Sequence, residues 1–228
     1  MKTYFAIILS LLLLISFSLM IGCKKVEQTA EAPKPTEAPM VPAPVQAPEA
    51  KETDEHFQKA HESFLKKDMK AAVSEIRQGE DLIKKEAEKA TEEAKKGLTA
   101  SADELEKLAK DVEKGAVTSE KKLKDTFARA EHALAKHHYL KASEQWAKKE
   151  TKETGNALKK AAQHMEQTAK WAGHKLEAGT VKIIDEVRFM SGKLIQGTGW
   201  VADKVGKGIH NMGAEITKLG EKIAPQKK

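Results

Sequence analysis

Histidine is the residue type in this chain best suited to chemistry. The 228 residues hold eight histidines and one cysteine. Five of the histidines, His56, His61, His132, His137 and His138, fall in two short segments that also carry aromatic residues. Neutral imidazole ligates zinc, copper, nickel and iron, and facing helices of a bundle commonly supply such ligands. His56 and His138 stand 82 residues apart, at matching places of an internal repeat. A metal or haem held by His56, His61 and His138 is therefore the ligand set to test. His61 shares a helical face with Phe57 and Phe64, and His138 shares one with Leu134 and Ala142. The counterpart of His61 is Ser143, so the repeat does not carry the whole set. Capped or half-exposed histidines with no ligand fit the same spacing.

Other chemistry is poorly supported. A single cysteine excludes an internal disulfide and any cysteine-built cluster. Gly197-Thr-Gly199-Trp-Val-Ala202 has the letters of a dinucleotide fingerprint but neither a preceding strand nor a βαβ unit to shape it. Ser63-Phe-Leu-Lys66 and Ser119-Glu-Lys-Lys122 match a serine–lysine pattern by composition alone, without companion motifs. Carboxylates alternate with lysines, the pattern of solvated helix faces. No nucleophile, base and orienting group stand together, so a non-enzymatic protein without a cofactor is expected.

The lone cysteine has a different use. Lys2 precedes an apolar run, Phe5 to Ile21, that ends Met20-Ile21-Gly22-Cys23. A basic start, an apolar centre and small residues at the end describe a secretory signal, expected over residues 1–22. The final four residues resemble the lipobox of bacterial lipoproteins. That resemblance implies cleavage before Cys23, a thioether-linked diacylglycerol on its sulfur and acylation of the new N-terminus. An uncleaved membrane helix is the competing reading, since ~20 apolar residues span a bilayer. Both readings tether the chain outside the cytoplasm. Lys24, in place of Asp, points to the outer membrane in an organism with two. Nucleic acid is then not an expected partner. The net charge of +6 suits anionic envelope polymers or lipid headgroups better.

Residues 23–52 read as a linker. Six of the seven prolines, Pro33 to Pro48, lie there among Ala, Glu and Thr, and such a stretch buries no core. Between Pro48 and Pro225 there is no proline, and Lys, Glu and Ala dominate. Helices are expected throughout 53–228. Asp68 and Thr151 are placed as N-caps, Ser101 with Glu104 has capping-box spacing, and Gly97 and Gly179 are placed as C-caps.

A shift of 82 residues lays His56–Asp68 over His138–Glu150 with six of thirteen positions identical, and aligns Phe57 with Tyr139 and Phe64 with Trp146. The register runs on through Gly97/Gly179 and Gly115/Gly197. Two copies, about 54–135 and 136–223, are expected, each a short aromatic-faced helix, a tight turn and two long helices. The fold class that follows is all-α, an elongated antiparallel bundle with an internal duplication. These helix–turn–helix units resemble those of the YfdX family of helical periplasmic proteins.

Gly192, Gly199, Gly206, Gly213 and Gly220 recur every seven residues, flanked by ridges at Ile195, Ala202, Ile209, Ile216, Ile223 and at Ser191, Thr198, Val205, Met212, Leu219. Each interior helical glycine costs about 1 kcal/mol relative to alanine. Close approach of a partner helix would offset it. The small stripe Ala102, Ala109, Ala116 and Ala130 is the expected intrachain partner. A second copy or a partner protein, or a lipid surface facing Lys193, Lys204, Lys207, Lys218 and Lys222, are the alternatives. Gly197 and Gly199 are possible helix breaks within the seam. The sum is a lipid-anchored envelope protein with a helical interaction module, or alternatively a metal or haem carrier or a lipid-binding protein.

Overall fold

The computed structural model describes residues 48–225. The leader at 1–22, Cys23 and the linker up to residue 47 lie outside the described residues. The chain is all-α, with seven helices and no strand among the described residues. They are α1 (Pro48–Leu65), α2 (Met69–Glu88), α3 (Glu92–Glu113), α4 (Glu120–Ala147), α5 (Thr151–Ala172), α6 (Ala178–Gln196) and α7 (Ala202–Ile223). Among these residues no helix is long and apolar enough to cross a membrane.

Local chemistry sets most boundaries. Asp68 caps α2 by accepting from the Ala71 N–H, Thr91 caps α3 through Ala94, and Ser119 caps α4 through Lys121. Gly173 and Gly197 end α5 and α6 in the left-handed region at φ 67° and 74°, where a side chain is strained.

Several expectations are corrected. The linker does not reach residue 52, because α1 begins at Pro48, and proline's fixed φ suits a first helical turn. Thr151 is the first residue of α5 rather than its cap, which is Glu150. Ser101 is buried inside α3, so it caps nothing. Gly97 is an exposed interior residue of α3, and Gly179 lies in the first turn of α6. The helix break before α3 is made by Thr91 with Glu92 and Glu93 behind it, a stronger start signal than Gly97 is a stop.

The 82-residue register reappears in the backbone. Helices α1 and α4 end 82 residues apart, and α2 and α5 begin 82 apart, as do α4 and α7. Lys67 and Lys149, the two non-glycine residues with positive φ among the described residues, are counterparts at φ 62° each. Each sits in the same turn: Lys67 N–H donates to Phe64 O and Asp68 N–H to Ser63 O, while Lys149 N–H donates to Trp146 O and Glu150 N–H to Gln145 O. These matches span four helices per copy rather than three. The first copy is α1, α2, α3 and the start of α4; the second is the end of α4, then α5, α6 and α7. Helix α4 is thus shared, and residues 130–141 belong to both copies.

The core divides accordingly. One cluster holds Phe57, Ile76, Ile83, Leu98, Leu105, Leu123 and Phe127, with Phe57 stacked on Phe127 at 4.4 Å between ring centres. The other holds Leu158, Met165, Ile184, Val187, Val205 and Met212. On α4 the first cluster ends at Leu134 and the second begins at Ala135. Trp171 of α5 crosses into the first cluster, where its indole N–H donates to buried Asp54 at 3.0 Å.

Candidate functional site

The boundary between the two clusters is polar. His137 and His138 on α4, Glu131 almost two turns earlier, His164 on α5 and Glu86 in the last turn of α2 meet there. His137 Nε2–H donates to Glu86 Oε2 at 3.1 Å. The rings of His137 and His138 lie 4.7 Å apart. His138 stacks on His164 at 5.3 Å with 14° between planes. His164 Nδ1–H donates to Glu131 Oε2 at 2.6 Å. The result is a continuous row: carboxylate, three imidazoles, carboxylate.

Every imidazole and Glu131 is sealed from solvent, with Glu131 fully buried and His137 and His138 at 1% and 2% exposure. Three atoms in this row have no hydrogen-bond partner: Glu131 Oε1, His137 Nδ1 and His138 Nδ1. A buried polar atom left in this state costs about 1–3 kcal/mol. Burial pushes the Glu131 carboxyl above its ordinary range, against the pull of His164. Burial likewise holds His138 well below the usual imidazole value, helped by the neighbouring His164 and His137. The hydrogen bond from His137 draws Glu86 down, against its partial burial, and Lys89 at 3.6 Å adds to that pull.

Of the three histidines proposed as a ligand set, only His138 lies in this row. His56 Nδ1 is bonded to Glu75 at 2.7 Å, and His61 Nε2 to Glu120 at 2.9 Å with its ring edge on Trp171. Each is therefore held by its own carboxylate, and the set His56, His61 and His138 does not form a ligand group. The repeat explains the contrast. Glu75 has Ala157 as its counterpart, so the acceptor that holds His56 is missing where His138 stands. His164, Glu131 and Glu86 were not singled out by sequence reasoning. The counterpart of His164 is Leu82, and the sole signal for it is a histidine at a core-facing position of an otherwise amphipathic helix.

The glycine heptad is not one seam. Gly192 ends up on α6 and Gly199 in the turn before α7, at φ 71°. A Cβ at Gly192 or Gly206 would meet open space. At Gly213 it would lie 2.5 Å from the Tyr139 ring, and at Gly220 2.6 Å from the His132 imidazole. Two glycines of α7 thus admit two side chains of α4, themselves seven residues apart. His132 also shares a 2.8 Å hydrogen bond with the Ile216 carbonyl. The partner is α4, not the Ala102–Ala116 stripe, because α4 is the helix that opens the second four-helix unit and α7 the one that closes it. The tightest backbone approach lies elsewhere: a Cβ at Gly155 would meet the Ser191 carbonyl at 2.8 Å and Leu194 Cβ at 2.9 Å.

On the surface, α6 and α7 diverge around a cleft of about 620 Å³ lined by Phe189, Met190, Trp200 and Val201. Phe189 is 70% and Val201 54% exposed. Lys193, Lys204 and Lys207 line the same cleft, Lys193 lying 4.8 Å over the Phe189 ring. Lys218 and Lys222, expected on the same lipid-facing surface, instead both bind Glu177 at 2.6 Å and hold its carboxyl down to about 2.

Against known proteins, no family model, no curated protein and no solved structure matches this chain.

Proposed function

We propose that this chain is a lipid-anchored envelope protein whose helical body is a non-enzymatic binding module. The observation that carries the reading is the order Met20-Ile21-Gly22-Cys23, with the only cysteine closing the apolar run. The proline-rich stretch that follows supports it, since at ~3.1 Å per residue the 24 residues between Cys23 and α1 span up to about 75 Å, enough to hold the helices clear of headgroups. Intact mass of the membrane-extracted protein tests it. Loss of residues 1–22 with a diacylglyceryl addition on Cys23 is expected, and Cys23→Ala abolishes both cleavage and acylation, leaving the apolar leader on the chain. An unprocessed chain with Met1 in place and an unmodified thiol rejects the reading.

A second reading, contact of the helical body with anionic lipid, is favoured by the cleft between α6 and α7. Exposed Phe189 and Val201 beside Lys193, Lys204 and Lys207 pair apolar surface with positive charge. A chain that starts at residue 24, with neither leader nor acyl group, is expected to float with phosphatidylglycerol vesicles and not with phosphatidylcholine. Changing the three lysines to Gln abolishes flotation. Equal flotation with both lipids, or none with either, rejects this reading.

A further inference from the structure

We propose that Glu86, His137 and His138 bind one divalent transition-metal ion of the zinc, cobalt or nickel class. Each offers one donor atom, and the three atoms lie within 4.8 Å of one another. Bonds of ~2.1 Å at tetrahedral angles separate two zinc ligands by ~3.4 Å. His137 Nε2 and Glu86 Oε2, at 3.1 Å, already stand near that separation. A side-chain adjustment of His138 by up to ~1.4 Å completes the set.

Three features point to an ion rather than a structural hydrogen-bond row. First, the protein supplies no partner to His138 Nδ1, although it is sealed from solvent. A metal–nitrogen bond satisfies an imidazole nitrogen where no protein group does. Second, the repeat shows how such a histidine is held without a ligand: His56 bonds Glu75, and the counterpart of Glu75 is Ala157. The second copy keeps the imidazole and lacks the acceptor. Third, the surroundings hold the donors in place. Glu131 and His164 form a second carboxylate–imidazole pair, and the His164 ring lies flat against His138. Supporting hydrogen bonds and packing of this kind orient ligands in metal sites. Two imidazoles and one carboxylate select first-row transition metals over magnesium or calcium. Glu86 is only partly buried, so the ion enters past the last turn of α2. The inference is independent of the acyl anchor.

The test uses the full chain, purified in detergent, stripped with chelator and titrated with Co2+. One equivalent is expected to bind, with the visible bands of a four-coordinate nitrogen–oxygen site, displaced by Zn2+. Glu86→Gln removes the anionic ligand and weakens binding at least as much as loss of a supporting partner does, by more than about tenfold. His138→Phe abolishes the bands, and exposed His210→Gln leaves them unchanged. Absence of a one-to-one complex overturns the proposal. So does a complex that survives both Glu86→Gln and His138→Phe unaltered. If His138→Phe fails to fold, the half-buried Glu86→Gln decides alone.

Discussion

His56 and His138 occupy the same place in two copies of one unit, yet one is an ordinary half-buried histidine and the other is sealed in the core. The first copy gives its histidine a carboxylate from the neighbouring helix, Glu75. The second gives alanine at that position, and a stacked His164 where the first has Leu82. Charge has also been exchanged elsewhere. Arg188 on α6 grips Glu166 on α5 with both terminal guanidinium nitrogens, while their counterparts are Glu106 and Lys84. In the first copy those two bond elsewhere, Lys84 to Glu80 and Glu106 to Arg77 and Lys110, so the ion pairs too are reassigned between copies. A duplicated fold can keep its backbone while its polar interior is reassigned.

The sharpest way to break this contrast is to write the first copy into the second. His164→Leu installs the residue of the first copy and leaves the buried Glu131 carboxylate without its imidazole. Removing one partner of a buried pair costs about 3–5 kcal/mol, read as a lower urea midpoint at neutral pH. Adding Glu131→Leu restores most of it. Gly155→Val copies Val73, but the new side chain meets the Ser191 carbonyl and Leu194. Overpacking of this kind costs about 1–3 kcal/mol, read as a lower urea midpoint.

The pH response comes next in size. His138 is held neutral by burial, while in the unfolded chain it titrates near 6.5. Below that value the unfolded chain takes up a proton that the folded one refuses. Stability therefore falls as pH drops below about 6.5, by up to ~1.4 kcal/mol per pH unit from this group. Glu131 acts oppositely: raised above its usual 4.5, it takes a proton first in the folded chain, which favours folding as the solution becomes more acidic. Ala157→Glu gives His138 the acceptor of the first copy, and urea midpoints at pH 5.5 and 7.5, taken in chelator, then differ less than in the parent chain. The smallest effect should be the same in both copies. Lys67→Gly and Lys149→Gly each relieve a side chain from the left-handed region and stabilise by about 0.5–1 kcal/mol. A gain at one turn alone, in denaturant melts of the two single variants, would mean that the turns are not equivalent.

The helices were legible because their signals are local. A proline-free stretch, Asp68 before an apolar periodicity and the 82-residue register each act within a few residues or repeat openly. Glycines were the weak point. Gly97 and Gly179 look like stops in the sequence, but a single exposed glycine costs a helix only about 1 kcal/mol, less than its neighbours restore. The heptad glycines were read as a seam that Gly197 and Gly199 could break, and both do adopt positive φ between α6 and α7; period alone does not report which of the remaining glycines meet a partner. The histidine row was illegible for another reason. Which faces of α2, α4 and α5 meet depends on the rotation of three helices about their axes, and Leu82 in the first copy gives no hint that His164 points inward.

Because residues 130–141 close one four-helix unit and open the next, the architecture has a built-in rule of growth. Lengthening α7 beyond Ile223 with the residues that follow the same register on α4 would make it the opening helix of a third unit. A cut inside 130–141, by contrast, orphans both neighbours at once, so the chain lends itself to extension in 82-residue steps but not to division at its midpoint.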